Sequence, residues 1–293
     1  MLLALFTLAL TGATAPADLL VSADWVSRHR TDPAVVILHI AREKEDYDKG
    51  HVPGARFLPA RTLWTTAAPG VELPTVAVID SIFESVGVSS NSRIILYGDA
   101  WTTPRAFLAL DLIGLGNQTA LLDGGLSAWA GAGQPLSTEA APSAHGSIEP
   151  QPRSIVVDAD WVKAHTDDAG VTLIDGRSPA EYAGTTEVER LPRYGHIPGA
   201  HNVNWLDTFT NGAAADSGRS TQLVPRAQLE KMFAAAGAAK NRQIVTYCTV
   251  GFRASHMYFL ARLLGYQPKI YDGSMRDWSA RTELPMVKSA QLR

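Results

Sequence analysis

The chain has one cysteine, Cys248, in 293 residues. No intramolecular disulfide can form, so stability has to come from packed cores. A basic excess is also missing: 26 Lys and Arg stand against 29 Asp and Glu, a formal net charge of -3, and no nucleic acid is expected as a partner. Beyond the extreme N-terminus no apolar run is long enough to span a bilayer, so no integral membrane span is expected after processing. His39, His145, His165 and His201 show no metal-ligand spacing, and no metal is expected. What is present is 46% hydrophobic and 19% charged residues, the composition of a soluble globular protein long enough for two ordinary domains.

Leu2 to Leu10 is apolar apart from Thr7, and the small residues Ala13, Thr14, Ala15, Pro16 and Ala17 follow. This pattern predicts a signal peptide over residues 1–17 and export, in a bacterium to the periplasm. Pro16 disfavours cleavage after Ala15, which leaves Ala17. The n-region carries no Lys or Arg, and an apolar helix that packs on the domain or tethers it is the alternative.

The chain repeats itself. Ala23-Asp24-Trp25-Val26 matches Ala159-Asp160-Trp161-Val162, and Gly50-His51-Val52-Pro53-Gly54-Ala55 matches Gly195-His196-Ile197-Pro198-Gly199-Ala200. Asp123-Gly124-Gly125 through Trp129 matches Asp272-Gly273-Ser274 through Trp278, and the Arg42 and Arg177 segments also correspond. A period this long is a duplication of whole domains rather than a solenoid. Residues 18–136 and 154–293 are the two copies, joined by a linker at 137–153 rich in Pro, Ala, Ser and Gly.

In the second copy Val171–Ile174 and Ile244–Tyr247 are β-branched runs of strand length. Ala227–Ala236 and Ala254–Leu264 have apolar residues at helical spacing, with Gly237 and Gly265 where helices should stop. Alternating strands and helices predict an α/β fold, a mostly parallel sheet covered on both faces, with its site beyond the carboxyl ends of the strands. Cys248 follows the strand ending at Tyr247 and therefore falls there. A buried small hydrophobe is the ordinary reading of a lone cysteine. Its neighbours favour reactivity: in Cys248-Thr249-Val250-Gly251-Phe252-Arg253 a short turn enters a helix, where unpaired N–H groups, the helix dipole and Arg253 stabilise a thiolate.

Asp175-Gly176-Arg177 with Glu181-Tyr182, the Gly195–Ala200 turn, the Cys248 loop, and Tyr271-Asp272-Gly273-Ser274 with Trp278 occur in one order that resembles the rhodanese family. The resemblance spans both halves. It implies two tandem α/β domains and sulfur transfer through a Cys248 persulfide. The donor is of the thiosulfate or 3-mercaptopyruvate class, the acceptor is cyanide or a thiol, and no cofactor is implied. Thr249, Val250, Gly251, Phe252 and Arg253 become substrate-binding candidates, with Asp175, Arg177 and Glu181 as loop support. An offset of 149 positions relates Asp123 to Asp272 and also Asp99 to Cys248, so Asp99 is expected at the nucleophile position of an inactive N-terminal copy, with Ile40 in place of Asp175.

Four residues separate Cys248 from Arg253, whereas related cysteine phosphatases have five, so phosphatase or arsenate-reductase chemistry is the enzymatic alternative. A silent binding or redox-sensing module is the other. Val250 stands where thiosulfate-specific members have Lys and mercaptopyruvate-specific members have Ser. Glu181 replaces an Arg that contacts the donor in both groups, and Arg190 or Arg193 is the expected substitute. His51 and His196 are read as turn architecture and His256 as packing. Trp205, Phe252 and Trp278 are read as either pocket wall or core.

Overall fold

A computed structural model describes residues 18–66, 72–142, 145–219 and 221–288. The predicted signal segment 1–17 lies outside the described residues.

The strands are β1 (Leu20–Val21), β2 (Val35–Ala41), β3 (Arg56–Pro59), β4 (Arg93–Gly98) and β5 (Thr119–Leu122) in the first half. In the second they are β6 (Val156–Val157), β7 (Val171–Asp175), β8 (His201–Asn202), β9 (Gln243–Tyr247) and β10 (Lys269–Tyr271). They form two five-stranded sheets ordered β1-β5-β4-β2-β3 and β6-β10-β9-β7-β8. Every pairing within them is parallel, so each connection must cross over, and helices make most of those crossings.

Residues alternate between the faces of each sheet, as the two-residue period of a strand requires. In β4, Ile95 and Tyr97 pack on the outer face with Ile37 and Trp129. Ile94 and Leu96 pack on the inner face, in a core that continues without a break into Ile174 and Ile244 of the second half. The helices Thr103–Leu112 and Phe252–Leu263 meet in this shared core, with Phe107 edge-on to Phe259 at 5.0 Å. Charge is buried there too. Asp111, 1% exposed, accepts from the Tyr258 hydroxyl at 2.7 Å and pairs with Arg262 at 2.9 Å and with Arg153. The halves therefore share one interior.

The described residues of 137–153 form no helix and no strand apart from one bridge, and most of them are exposed or half-buried. The segment is nevertheless fastened to the first half: His51 and Ser137 exchange backbone hydrogen bonds, Gly146 N–H donates to Glu84 O, and Ile148 is buried.

The strand registers correct one expectation. Tyr97 pairs with His39, and Tyr247 pairs with Asp175. Each tyrosine hydroxyl accepts from the backbone of the repeated Gly-His turn, from Val52 N–H at 3.0 Å and from Ile197 N–H at 3.3 Å. Tyr97 and Tyr247 are thus equivalent, and Gly98, not Asp99, is the counterpart of Cys248. His39, not Ile40, is the counterpart of Asp175. The first half has one residue more between its fourth strand and Asp123 than the second has between β9 and Asp272. A fixed offset taken at the aspartates is therefore out by one at the strands. Asp99 instead caps the loop, its Oδ1 accepting from Trp101 N–H at 2.8 Å and Thr102 N–H at 2.6 Å. The first half has no thiol at this place in either register.

Candidate functional site

Cys248 is the first residue after β9, and its side chain is 1% exposed. The following turn closes through Gly251, whose φ of +93° lies in the left-handed region that a side chain disfavours. That conformation lets Gly251 N–H point back at Cys248 Sγ, at 3.2 Å. The helix Phe252–Leu263 begins at the next residue and directs its positive end at the sulfur. A thiolate or a terminal persulfide sulfur is the species these donors suit.

The loop is anchored from outside as well. Cys248 N–H donates to Ser274 Oγ at 3.1 Å, and the Ser274 hydroxyl donates to Tyr271 O at 2.9 Å. Met275 and Arg276 N–H donate to the carbonyls of Cys248 and Thr249, each at 3.0 Å. Ser274 itself has a φ of +54°, and its counterpart Gly125 has +51°. One copy meets this backbone demand with glycine and the other with a serine whose hydroxyl is fully used.

Arg253 lies bidentate on Glu181, Nη1 to Oε2 at 2.7 Å and Nη2 to Oε1 at 2.8 Å, and it also donates to Thr249 Oγ1 at 2.6 Å. Burial pushes the Glu181 carboxyl up, but the hydrogen bond and charge of Arg253, with the N–H and hydroxyl of Ser178, bring it down to about 2. Burial works against the Arg253 cation, and its hydrogen bond to Glu181 and the charge of Cys248 outweigh that and raise it. The arginine is therefore a fixed positive charge beside the sulfur, already engaged by a carboxylate. Arg177 is fully buried on Asp175, Nε to Oδ1 at 2.9 Å, and donates to Gly195 O at 2.8 Å. It ties the β7 loop to the Gly-His turn.

Neither expected substitute for the missing donor arginine is placed for that task. Arg193 spends its guanidinium on four carbonyls, those of Trp278, Ser279, Arg281 and Leu284. Arg190 is exposed and pairs with its neighbour Glu189 at 3.1 Å. His51 and His196 stack on Tyr47 and Tyr182 at 3.7 and 3.8 Å and bond backbone oxygens, which is turn architecture. His256 is buried against Thr208 Oγ1 at 2.8 Å. Trp278 is core, with Nε1–H on Pro285 O. Trp205 packs across the halves against Trp101, ring centroids 4.7 Å apart and tilted, and Phe252 meets Trp64 edge-on at 5.0 Å, so first-half aromatics reach the second half's site. Val250 is half-buried and Thr249 is bonded within the Glu181–Arg253 group.

Two contributors carry no legible sequence signal. Arg105, from the first half, is completely buried and forks onto Asp272, with Nη2 to Oδ2 at 2.9 Å and a second, shorter contact from Nη1 to Oδ1. Leu73 N–H donates to the same carboxylate at 2.8 Å. Asp272 belongs to the repeated Asp-Gly pair, but its partner is far away in sequence. Among the described residues no group of His, Cys, Asp and Glu could hold a metal ion, and no helix is long and apolar enough to cross a membrane.

The rhodanese-like domain family matches residues 22–132 and 158–281. The sulfur carrier protein TtuD of Thermus thermophilus is 31% identical, over 94% of this chain and 98% of its own length. Two Pseudomonas aeruginosa proteins are each 30% identical. One is a thiosulfate sulfurtransferase, matched over 82% of this chain and 86% of its own length. The other is a probable 3-mercaptopyruvate sulfurtransferase, matched over 92% and 97%. With the fold, the order of the motifs and these relatives in agreement, the chain belongs to the rhodanese-like domain family and carries its domain twice.

Proposed function

We propose that the protein is a sulfurtransferase that carries sulfane sulfur on Cys248. The observation that carries this reading is the sulfur's setting: Gly251 N–H at 3.2 Å, a helix N-terminus behind it and the Arg253 cation alongside. In the first step the Cys248 thiolate attacks the outer sulfur of thiosulfate or the thiol sulfur of a 3-mercaptopyruvate-class donor. A persulfide forms; sulfite leaves with the bonding pair, or the pyruvate enolate leaves with it and takes up the donor's thiol proton to become pyruvate. In the second step cyanide or an acceptor thiolate attacks the terminal sulfur, releasing thiocyanate or a new persulfide and restoring the thiolate. Relatives of equal identity bear both donor names, so donor choice rests on the loop itself.

Phosphatase chemistry is disfavoured because Arg253, the residue that would hold the oxyanion, is bound bidentate by Glu181 in a loop one residue shorter than that chemistry uses. Incubation with either donor should add one sulfur, about 32 Da, on Cys248, removable by cyanide. Cys248→Ser should fold and show neither adduct nor turnover. Absence of an adduct with every donor would overturn the reading in favour of a silent module. A sulfur that loads but passes only to proteins would make the chain a carrier.

The segment Leu2–Ala17 supports export, in a bacterium to the periplasm. N-terminal sequencing of protein from fractionated cells should find a mature chain beginning at Asp18. An intact N-terminus in the cytoplasmic fraction would refute export.

A further inference from the structure

We propose that Arg105, from the half without the cysteine, is a positioning residue for Cys248: it neutralises Asp272 beneath the Gly251 turn and so keeps the thiolate favoured. This rests on the reading of Cys248 as the nucleophile.

The Asp272 carboxylate presses against the loop from below. A Cβ built on Gly251 would collide with Asp272 Oδ1 and would lie 2.9 Å from Arg105 Nη1. Gly251 is also the residue whose N–H points at Cys248 Sγ. A buried carboxylate packed against the residue whose N–H meets the sulfur disfavours the thiolate unless it is compensated, and burial weakens the screening between them. Compensation comes from the fork of Arg105, whose side chain is fully buried. Arg105 reaches the loop by a second route. Nη1 donates to Ser255 Oγ at 3.4 Å, and the Ser255 hydroxyl donates to Gly251 O at 2.8 Å. Its guanidinium carbon also stands 5.7 Å from the Phe252 ring centroid.

Other charges act on the sulfur as well. On its own helix stands Arg253, paired with Glu181 from the β7 side, where Asp175 and Arg177 neutralise each other. From the first half Glu72 faces Asp272, and burial and that carboxylate raise it. Removing Arg105 therefore leaves Asp272 as the unpaired charge under the loop.

The single cysteine makes the test clean: the rate of iodoacetamide alkylation is followed against pH. The plateau rate reports access, and the midpoint reports ionisation, which a merely structural role would not move. Arg105→Met should raise the midpoint by about one unit and slow alkylation at pH 7 about tenfold. Asp272→Asn should move it the other way, and Arg105→Met/Asp272→Asn should return it close to wild type. A folded Arg105→Met protein with the wild-type midpoint, or a double variant as shifted as the single one, would overturn the proposal. If Arg105→Met fails to fold, Asp272→Asn decides, and an unchanged midpoint there is fatal. Failure of the wild type to load sulfur would count against the sulfurtransferase reading alone, since the alkylation profile needs no donor.

Discussion

Arg253 and Glu181 are matched as a fork on a carboxylate, at 2.7 and 2.8 Å, with both side chains only 13% exposed. A cation that the sequence offers to an incoming anion is thus held by the protein's own carboxylate, which replaces the donor-contacting arginine expected from the family resemblance. Glu181→Gln should cost about 2–3 kcal/mol in urea unfolding, because a buried charge loses its partner. It should also release Arg253 toward the donor and lower the KM for thiosulfate several-fold. An unchanged KM in a folded variant would show that Arg253 does not turn to the donor even when freed.

Val250 is half-buried in the cysteine loop, between two residues whose other contacts are fixed. Val250→Lys adds a cation where the thiosulfate-specific members of the family have one. It should raise thiosulfate kcat/KM about tenfold, leaving 3-mercaptopyruvate turnover within about threefold. Equal change with both donors would show that the lysine acts on the cysteine and not on donor choice.

Ser274 holds a left-handed backbone, φ +54°, and uses its hydroxyl to accept from Cys248 N–H and donate to Tyr271 O. Ser274→Ala keeps the strain and loses both bonds, and should cost about 2–3 kcal/mol. Ser274→Gly also loses the bonds but relieves the strain, as Gly125 does in the other half, and should cost about 1 kcal/mol. Denaturant unfolding should therefore rank wild type above Ser274→Gly above Ser274→Ala. The reverse order of the two variants would refute the strain account.

Two buried histidines set an acid limit on stability. Burial, helped by repulsion from His51 and opposed by Asp46, lowers His39 from 6.5 to about 4, and burial lowers His256 from 6.5 to about 3. Both stay neutral in the fold while the unfolded chain takes up their protons. The stability they confer is complete above pH 6.5 and is lost as pH falls from 6.5 toward 4, by about 1.4 kcal/mol per unit for each. Glu181 adds its own loss lower down, between its ordinary 4.5 and about 2. Unfolding free energies at pH 7, 6 and 5 should show the slope, and His256→Gln should reduce it, with His39 and the likewise lowered His196 keeping the rest. An unchanged slope would mean that His256 takes up its proton in the folded state.

By itself, the sequence determined the α/β class, the duplication, the place of Cys248 after a strand and the missing thiol in the first half. These follow from local periodicity and from motifs that repeat in order. The roles of His51 and His196 were legible for the same reason, since each bonds and stacks within its own repeated segment, whereas only packing decided that Trp278 is core. Tertiary structure alone decided three matters. Strand pairing fixed the register between the copies, because hydrogen bonds between strands, and not chain offsets, define equivalent positions, and so Gly98 displaced Asp99. Side-chain packing decided which arginines are free: Arg193 is consumed by four carbonyls and Arg253 by Glu181. Docking of the halves brought Arg105 to Asp272, 167 positions apart in the chain. No local pattern encodes that pair, because its attraction arises only where both side chains are removed from water together.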